Sequence, residues 1–189
     1  RDWSSDVCSS DLNFELPATY EYYAAPKLDR DAFLLAKVSG WEKFNLISGN
    51  TNIFFEGMYV GQSYLDTRYT KDTLDISLGR DKSIAITRSK LKDFTQRKII
   101  GSSMKETYTY EVNLRNKKSR DIEIQVVENI PISQNSEIVV ELLESSGADF
   151  NKEDGKLIWN LKLKTSESKT LRFSFSVKYP KDRSINGDF

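Results

Sequence analysis

The side chains able to do acid–base or binding chemistry in this 189-residue chain are carboxylates, amines and tyrosines. There is no histidine, and Cys8 is the single cysteine. That composition excludes a Ser-His-Asp triad, a Cys-His pair and a histidine metal site. One thiol cannot form a Cys-x-x-Cys site or an internal disulfide. Among the carboxylates, Glu21, Glu56, Asp66, Asp72, Asp75 and Glu128 lie near aromatic residues or turns. A glycoside hydrolase would need two of them at a defined separation across a cleft, and their order along the chain selects no pair. No residue is therefore assigned to catalysis, to a cofactor or to a metal, and the chain reads by elimination as leaning away from an enzyme.

The aromatic residues are the second candidates. Tyr20, Tyr22 and Tyr23 could form a sugar-stacking platform; the alternative is that they are cross-strand pairs and core fillers, since strands are enriched in aromatics. The third is Glu128–Ser136, whose tip Ser133-Gln134-Asn135 could contact a partner through amide and backbone groups, or simply cross between sheets. Pro131 removes a backbone donor and is expected to end the preceding strand at Val127. Gly79-Arg80-Asp81 lacks the glycine spacing and following helix of a phosphate cradle and is expected to be a hairpin turn.

The elements that would position these groups are strands. Leu171, Phe173, Phe175, Val177 and Tyr179 alternate with Arg172, Ser174, Ser176 and Lys178, a period of two. Leu157, Trp159, Leu161 and Leu163 repeat it, as do Tyr108, Tyr110, Val112 and Leu114. Ile122, Ile124 and Val126 follow, then Ile138, Val140 and Leu142. Turn chemistry separates them: Asn116–Asp121, the Asp154-Gly155 pair, and Thr165–Lys169. Regularly spaced strands without crossover helices point to an antiparallel sandwich. Trp159 is expected in its core.

Before residue 104 the pattern is β-rich but less regular. Tyr20–Tyr23 and Ala32–Val38 are candidate strands, and Asn52–Glu56 with Met58–Leu65 read as a pair around Gly57. Leu74, Ile76 and Leu78 are expected to pair with Ala85 or with Ile84 and Ile86 across the Gly79–Lys82 turn, depending on the turn type. Gly101-Ser102-Ser103 is a weak seam. The fold class expected is all-β: an immunoglobulin-like antiparallel β-sandwich over 104–189, preceded by a second β-rich unit over 13–103.

Arg1–Leu12, RDWSSDVCSSDL, shares no character with the text after it. One reverse translation of it resembles a common sequencing-library adapter, so it is expected to be a non-native scar. Setting aside its one Arg and three Asp changes the balance from 28 basic and 28 acidic groups to 27 and 25, a net +2. Either balance lacks the excess of a nucleic-acid binder. The longest unbroken apolar run, Ala32–Ala36, is far below the roughly 18 residues of a membrane helix.

Several stretches together resemble the C-terminal portion of the mucoidy inhibitor A (MuiA) family. They are Glu15–Leu46, NIFFEGMYVGQSYLD (Asn52–Asp66), DTLDISLGRDKSI (Asp72–Ile84), KETYTYEVNLRN, ENIPISQN, VELLESSGA and SFSVKYPKD. The resemblance spans Asn13–Asp182 and is specific by length, carrying no catalytic signature. It implies a fragment of a larger bacterial protein with an exported N-terminus, a helical coiled-coil section and this β-rich domain of unknown function at its end. The expected function is thus a non-enzymatic interaction or structural module of the periplasm or cell envelope. Its partners would be a protein, an envelope glycan or the rest of the parent chain, with no nucleic acid, no membrane span and no cofactor. The alternative is a carbohydrate-binding or carbohydrate-active domain using the tyrosines and carboxylates.

Overall fold

The computed structural model describes residues 15–55, 57–68, 73–94 and 96–183. In these, thirteen strands and two short 3-10 turns make an all-β sandwich. The strands are β1 (Ala18–Ala24), β2 (Ala32–Ser39), β3 (Gly49–Phe55), β4 (Met58–Leu65), β5 (Thr73–Asp81), β6 (Ile84–Lys90) and β7 (Gln96–Ile100). They continue with β8 (Ser103–Asn116), β9 (Ile122–Asn129), β10 (Val139–Glu144), β11 (Asp149–Asn151), β12 (Lys156–Leu163) and β13 (Ser168–Pro180). One layer has the order β11-β12-β9-β1-β2-β5; the other is β10-β13-β8-β6, with β7 also on β8. β3 and β4 form a separate two-stranded sheet.

The alternating segments set the inner faces. Tyr108, Tyr110, Val112 and Leu114 of β8 lie opposite Phe175, Phe173, Leu171 and Lys169 of β13 in register. The aromatic pairs Tyr108–Phe175 and Tyr110–Phe173 stack with centroids 5.4 and 5.3 Å apart, a favoured cross-strand arrangement. Facing them, Ile122, Ile124 and Val126 of β9 and Leu157, Trp159 and Leu163 of β12 complete one buried cluster. Trp159, 3% exposed, packs across the layers on Phe173 and donates its Nε1–H to the Ser145 carbonyl.

The expected division at 103/104 does not coincide with a division of the sheets. The first stretch supplies β1, β2 and β5 to one layer and β6 and β7 to the other. β1 pairs in parallel with β9, Tyr22 opposite Ile124, at the centre of its layer. Gly101, at φ +61, makes the tight turn between β7 and β8, so the seam is a hairpin turn inside one sheet. Period-two alternation identifies a strand and its buried face but not its neighbours, which is why the two stretches read as separate.

A second expectation fails at Gly79-Arg80-Asp81. These residues lie within β5, where Arg80 and Asp81 pair with Phe33 and Ala32 of β2 after a bulge. Gly79, at φ +98, takes the bulge and lets Val60 approach to within 3.0 Å of where a Cβ would stand. The turn comes afterwards, at Lys82-Ser83, with the Ser83 N–H bonded to Asp81 Oδ1. It carries the chain from one layer to the other, so β5 and β6 do not pair. Likewise β9 runs two residues past Val127, to Asn129.

Candidate functional site

Hydrogen-bond register divides the β3–β4 hairpin into two unlike faces. Asn50 opposes Tyr64, Asn52 opposes Gln62, and Phe54 opposes Tyr59 beyond a bulge. All six are exposed, with Phe54 at 64% and the Phe54 and Tyr59 rings 5.4 Å apart. The other face carries buried Ile53 and half-buried Thr51, Phe55 and Leu65. It packs toward the inner side of β1-β2-β5: Phe55 meets Tyr20 at 6.5 Å, and Val60 meets Gly79. Ala36, Val38, Trp41 and Ile53 are buried there, apart from the main cluster. The hairpin thus finishes burying a sheet face that the five-stranded layer does not reach.

The outward face is chemically unusual for this chain. Gly49–Leu65 has one charged residue, Glu56, whereas 30% of the chain is charged. Aromatic enrichment with loss of Lys, Asp and Glu is the compositional mark of an interface core. Contiguous exposed apolar surface on one element marks an interaction site far better than scattered residues do. Beside it, between β4 and β5, lies an apolar cleft of about 330 Å³.

The sequence candidates fall apart in space. Tyr22 is buried and donates its hydroxyl to Asp81 Oδ2, Tyr20 is 59% exposed, and Tyr23 points to the opposite face. With Tyr23 on the opposite face from Tyr20 and Tyr22, and Tyr22 buried, the three do not share a platform, and Tyr22 is a core residue as the alternative reading has it. Glu21 is paired with Lys37 on the outer face. Asp66 and Asp75 share the β4–β5 cleft. Asp66 is held at about 2 by hydrogen bonds from the Arg68 side chain and backbone, so it cannot serve as a neutral acid near pH 7. Glu56 and Asp72 lie outside the described residues, as does Arg1–Leu12. The Ser133-Gln134-Asn135 tip crosses between layers, and its polar groups satisfy one another: the Asn135 N–H bonds to Ser133 Oγ, and the Glu137 N–H to Asn135 Oδ1.

Glu128 is instead a bridge between layers. Its side chain is fully buried, and Oε1 accepts from Arg88 Nε at 3.0 Å. Oε2 has no hydrogen-bond partner among the described residues. Burial pushes the carboxyl above its ordinary range, against the opposing pull of Arg88 and, more weakly, Lys27. The Arg88 guanidinium stacks on Tyr110, 4.1 Å from the ring centroid. Further along, Glu106 accepts from the Tyr108 and Tyr179 hydroxyls and pairs with Arg97 at 3.1 Å. Burial raises the Glu106 carboxyl, but the two hydroxyls and the nearby cations outweigh it and leave it lowered. Neither cluster lines the cleft. Among the described residues no three metal-type ligands converge, and no helix is long and apolar enough to cross a membrane.

Two signals for these features stood in the sequence. Arg88 continues the inward series Ile84, Ile86, which requires a buried partner for its charge. The near absence of charge in Gly49–Leu65 marks the hairpin.

Fold and site together define a β-sandwich domain whose distinguishing surface is an uncharged aromatic hairpin. The chain belongs to the family described as a domain of unknown function (DUF4139), which matches residues 9–181. That match begins inside the Arg1–Leu12 stretch. The chain is also similar to Protein F37C4.5 of Caenorhabditis elegans, 25% identical over 133 residues, which are 68% of this chain and 23% of that protein. It spans about a quarter of the length of the curated relative it matches.

Proposed function

We propose that this chain is a non-enzymatic interaction module at the C-terminal end of a longer bacterial cell-envelope protein, docking through the outer face of β3–β4. The observation that carries this reading is the exposed, uncharged set Phe54, Tyr59 and Tyr64 on a hairpin whose other face is already packed. Large side chains of this kind dominate binding energy when a partner desolvates them. The partner in this reading is another segment of the same polypeptide, its helical section. The resemblance to the MuiA family supports the terminal position and the envelope setting, and the length of the curated relative is in keeping with a long parent chain.

The test is a photo-cross-linker, benzoylphenylalanine, in place of Tyr59 in the full-length protein. Cross-links from Tyr59 into the helical section of the same polypeptide are expected. The reading fails if no intramolecular product forms, or if the products are glycan or lipid.

A further inference from the structure

β4 and β5 are consecutive strands, and consecutive strands usually pair with each other. Here they do not. Among the described residues β4 bonds only to β3, and β5 is the terminal strand of its layer, bonded only to β2. Each therefore presents one row of backbone groups with no partner among the described residues. The cleft of about 330 Å³ lies between them, and four consecutive residues of β5, Thr73–Ile76, line it. Side chains alternate across a strand, so a cavity touched by four in succession meets that strand at its edge. Ile53, Leu65, Leu74 and Ile76 make the wall apolar, and among the described residues Asp66 and Asp75 are the charged ones on it and no Lys or Arg lines it. Arg68, which pairs with Asp66, is 78% exposed and outside the lining.

Exposed strand edges are natural templates for another strand, and proteins normally blunt them. Binding by strand addition takes its affinity from the backbone ladder and its selectivity from small pockets for alternate side chains. A cleft at the low end of ligand-pocket volumes suits a few side chains of a segment whose backbone does most of the bonding. We propose that the β4–β5 cleft binds an extended peptide segment, which adds as a strand to the free edge of β5. It sets apolar side chains against Ile53, Leu74 and Ile76 and a basic side chain beside Asp66 and Asp75. This deepens the interaction-module reading by assigning a second face and a class of ligand, and it rests on that reading.

The test uses the chain as it stands and a fluorescent seven-residue probe, acetyl-KVKVKVK-amide, compared with acetyl-EVEVEVE-amide and with the Lys probe N-methylated at alternate residues. Fluorescence anisotropy is expected to show binding of the Lys probe at least tenfold tighter than either control. Hydrogen exchange is expected to slow at Thr73–Ser77 when it binds. Ser63→Trp, which fills the cleft from an exposed position, should abolish binding, and Asp75→Asn should weaken it several-fold at an unchanged melting temperature. Equal binding of the N-methylated probe would overturn the ladder, and equal binding of the Glu probe would overturn the acidic rim. No binding of any probe, protection confined to other strands, or protection of β5 caused by self-association would each overturn the proposal. These measurements read the cleft, whereas the Tyr59 cross-link reads the outer face, so failure of one is distinguishable from failure of the other.

Discussion

Replacing Arg88 by Met tests the internal electrostatics most directly. Glu128 is fully buried, and Arg88 supplies its ion pair and its side-chain hydrogen bond, with Lys27 a weaker contributor. Removing a single partner of a buried pair costs roughly 3–5 kcal/mol, because a charge is left uncompensated. Arg88→Met keeps much of the stem that packs beside Tyr110, so most of the loss is electrostatic. The loss should depend on pH. In the folded variant the Glu128 carboxyl lies even further above its unfolded value. Below the unfolded value, near 4.3, both states hold the proton and the penalty disappears. As pH rises through the gap, the folded state binds more protons than the unfolded, and stability falls by up to about 1.4 kcal/mol per pH unit. Urea melts at pH 4, 5, 6 and 7 would read this slope against the parent chain. The double variant Arg88→Met/Glu128→Leu should recover to within roughly 1–2 kcal/mol of the parent and lose the slope, since an apolar pair can replace a buried ion pair. A loss below about 1 kcal/mol for Arg88→Met at pH 7, with no pH dependence, would refute the buried charge.

Trp159→Ala should cost about 3–5 kcal/mol in a denaturant melt, the cost of truncating a buried aromatic. Trp41→Phe should cost less than about 1 kcal/mol, because the Trp41 Nε1–H is buried without a partner among the described residues and the change removes that liability. For Asp81, burial favours the neutral acid, but hydrogen bonds from Lys118, the Ser83 N–H and Tyr22 outweigh it and hold the group at about 2. Its contribution is therefore present above the unfolded value near 3.8 and lost as pH falls toward 2. Asp81→Asn should cost about 2 kcal/mol at pH 7 and progressively less between pH 4 and pH 2, read by thermal melts across that range. Gly155→Ala should cost at least about 2 kcal/mol in a urea melt, since a Cβ there would stand 2.4 Å from the Ile130 carbonyl oxygen at a φ of +71.

What could be read from sequence was whatever the strand pleat writes into alternation. β8, β12 and β13 each carry four or more inward apolar positions and β9 three, and the structure buries them as expected, Trp159 included, except for half-buried Leu161. The β3–β4 pair was legible from its glycines, with Gly57 at φ +79 in the turn. β7 and the three-residue β11 left no such trace: every residue of β7 is exposed, so no apolar face recurs. Pairing was not legible either. Leu74, Ile76 and Leu78 looked like one arm of a hairpin, yet β5 carries on through Gly79 and its neighbour in sequence belongs to the other layer. The tyrosine platform failed on parity, as Tyr22 and Tyr23 stand on opposite faces. Glu128 was singled out as a carboxylate, but its partner Arg88 lies 40 residues away and only tertiary packing brings them together.

The parallel contact of β1 with β9 also dictates when this molecule can fold. Tyr22 must wait for Ile124, about 100 residues behind it, and β8 must wait for β13 to emerge as well. At about 5–20 residues per second, β1 spends several seconds or more outside the ribosome beside no lasting neighbour. β2 can pair with it meanwhile, but a lone pair of strands is marginal in water. The sandwich is therefore completed only once β13 has been made. A nascent chain interrupted between β12 and β13 would leave the inner face of β8, with Tyr108, Tyr110, Val112 and Leu114, without its partner strand, so arrest there should be an aggregation-prone point of synthesis.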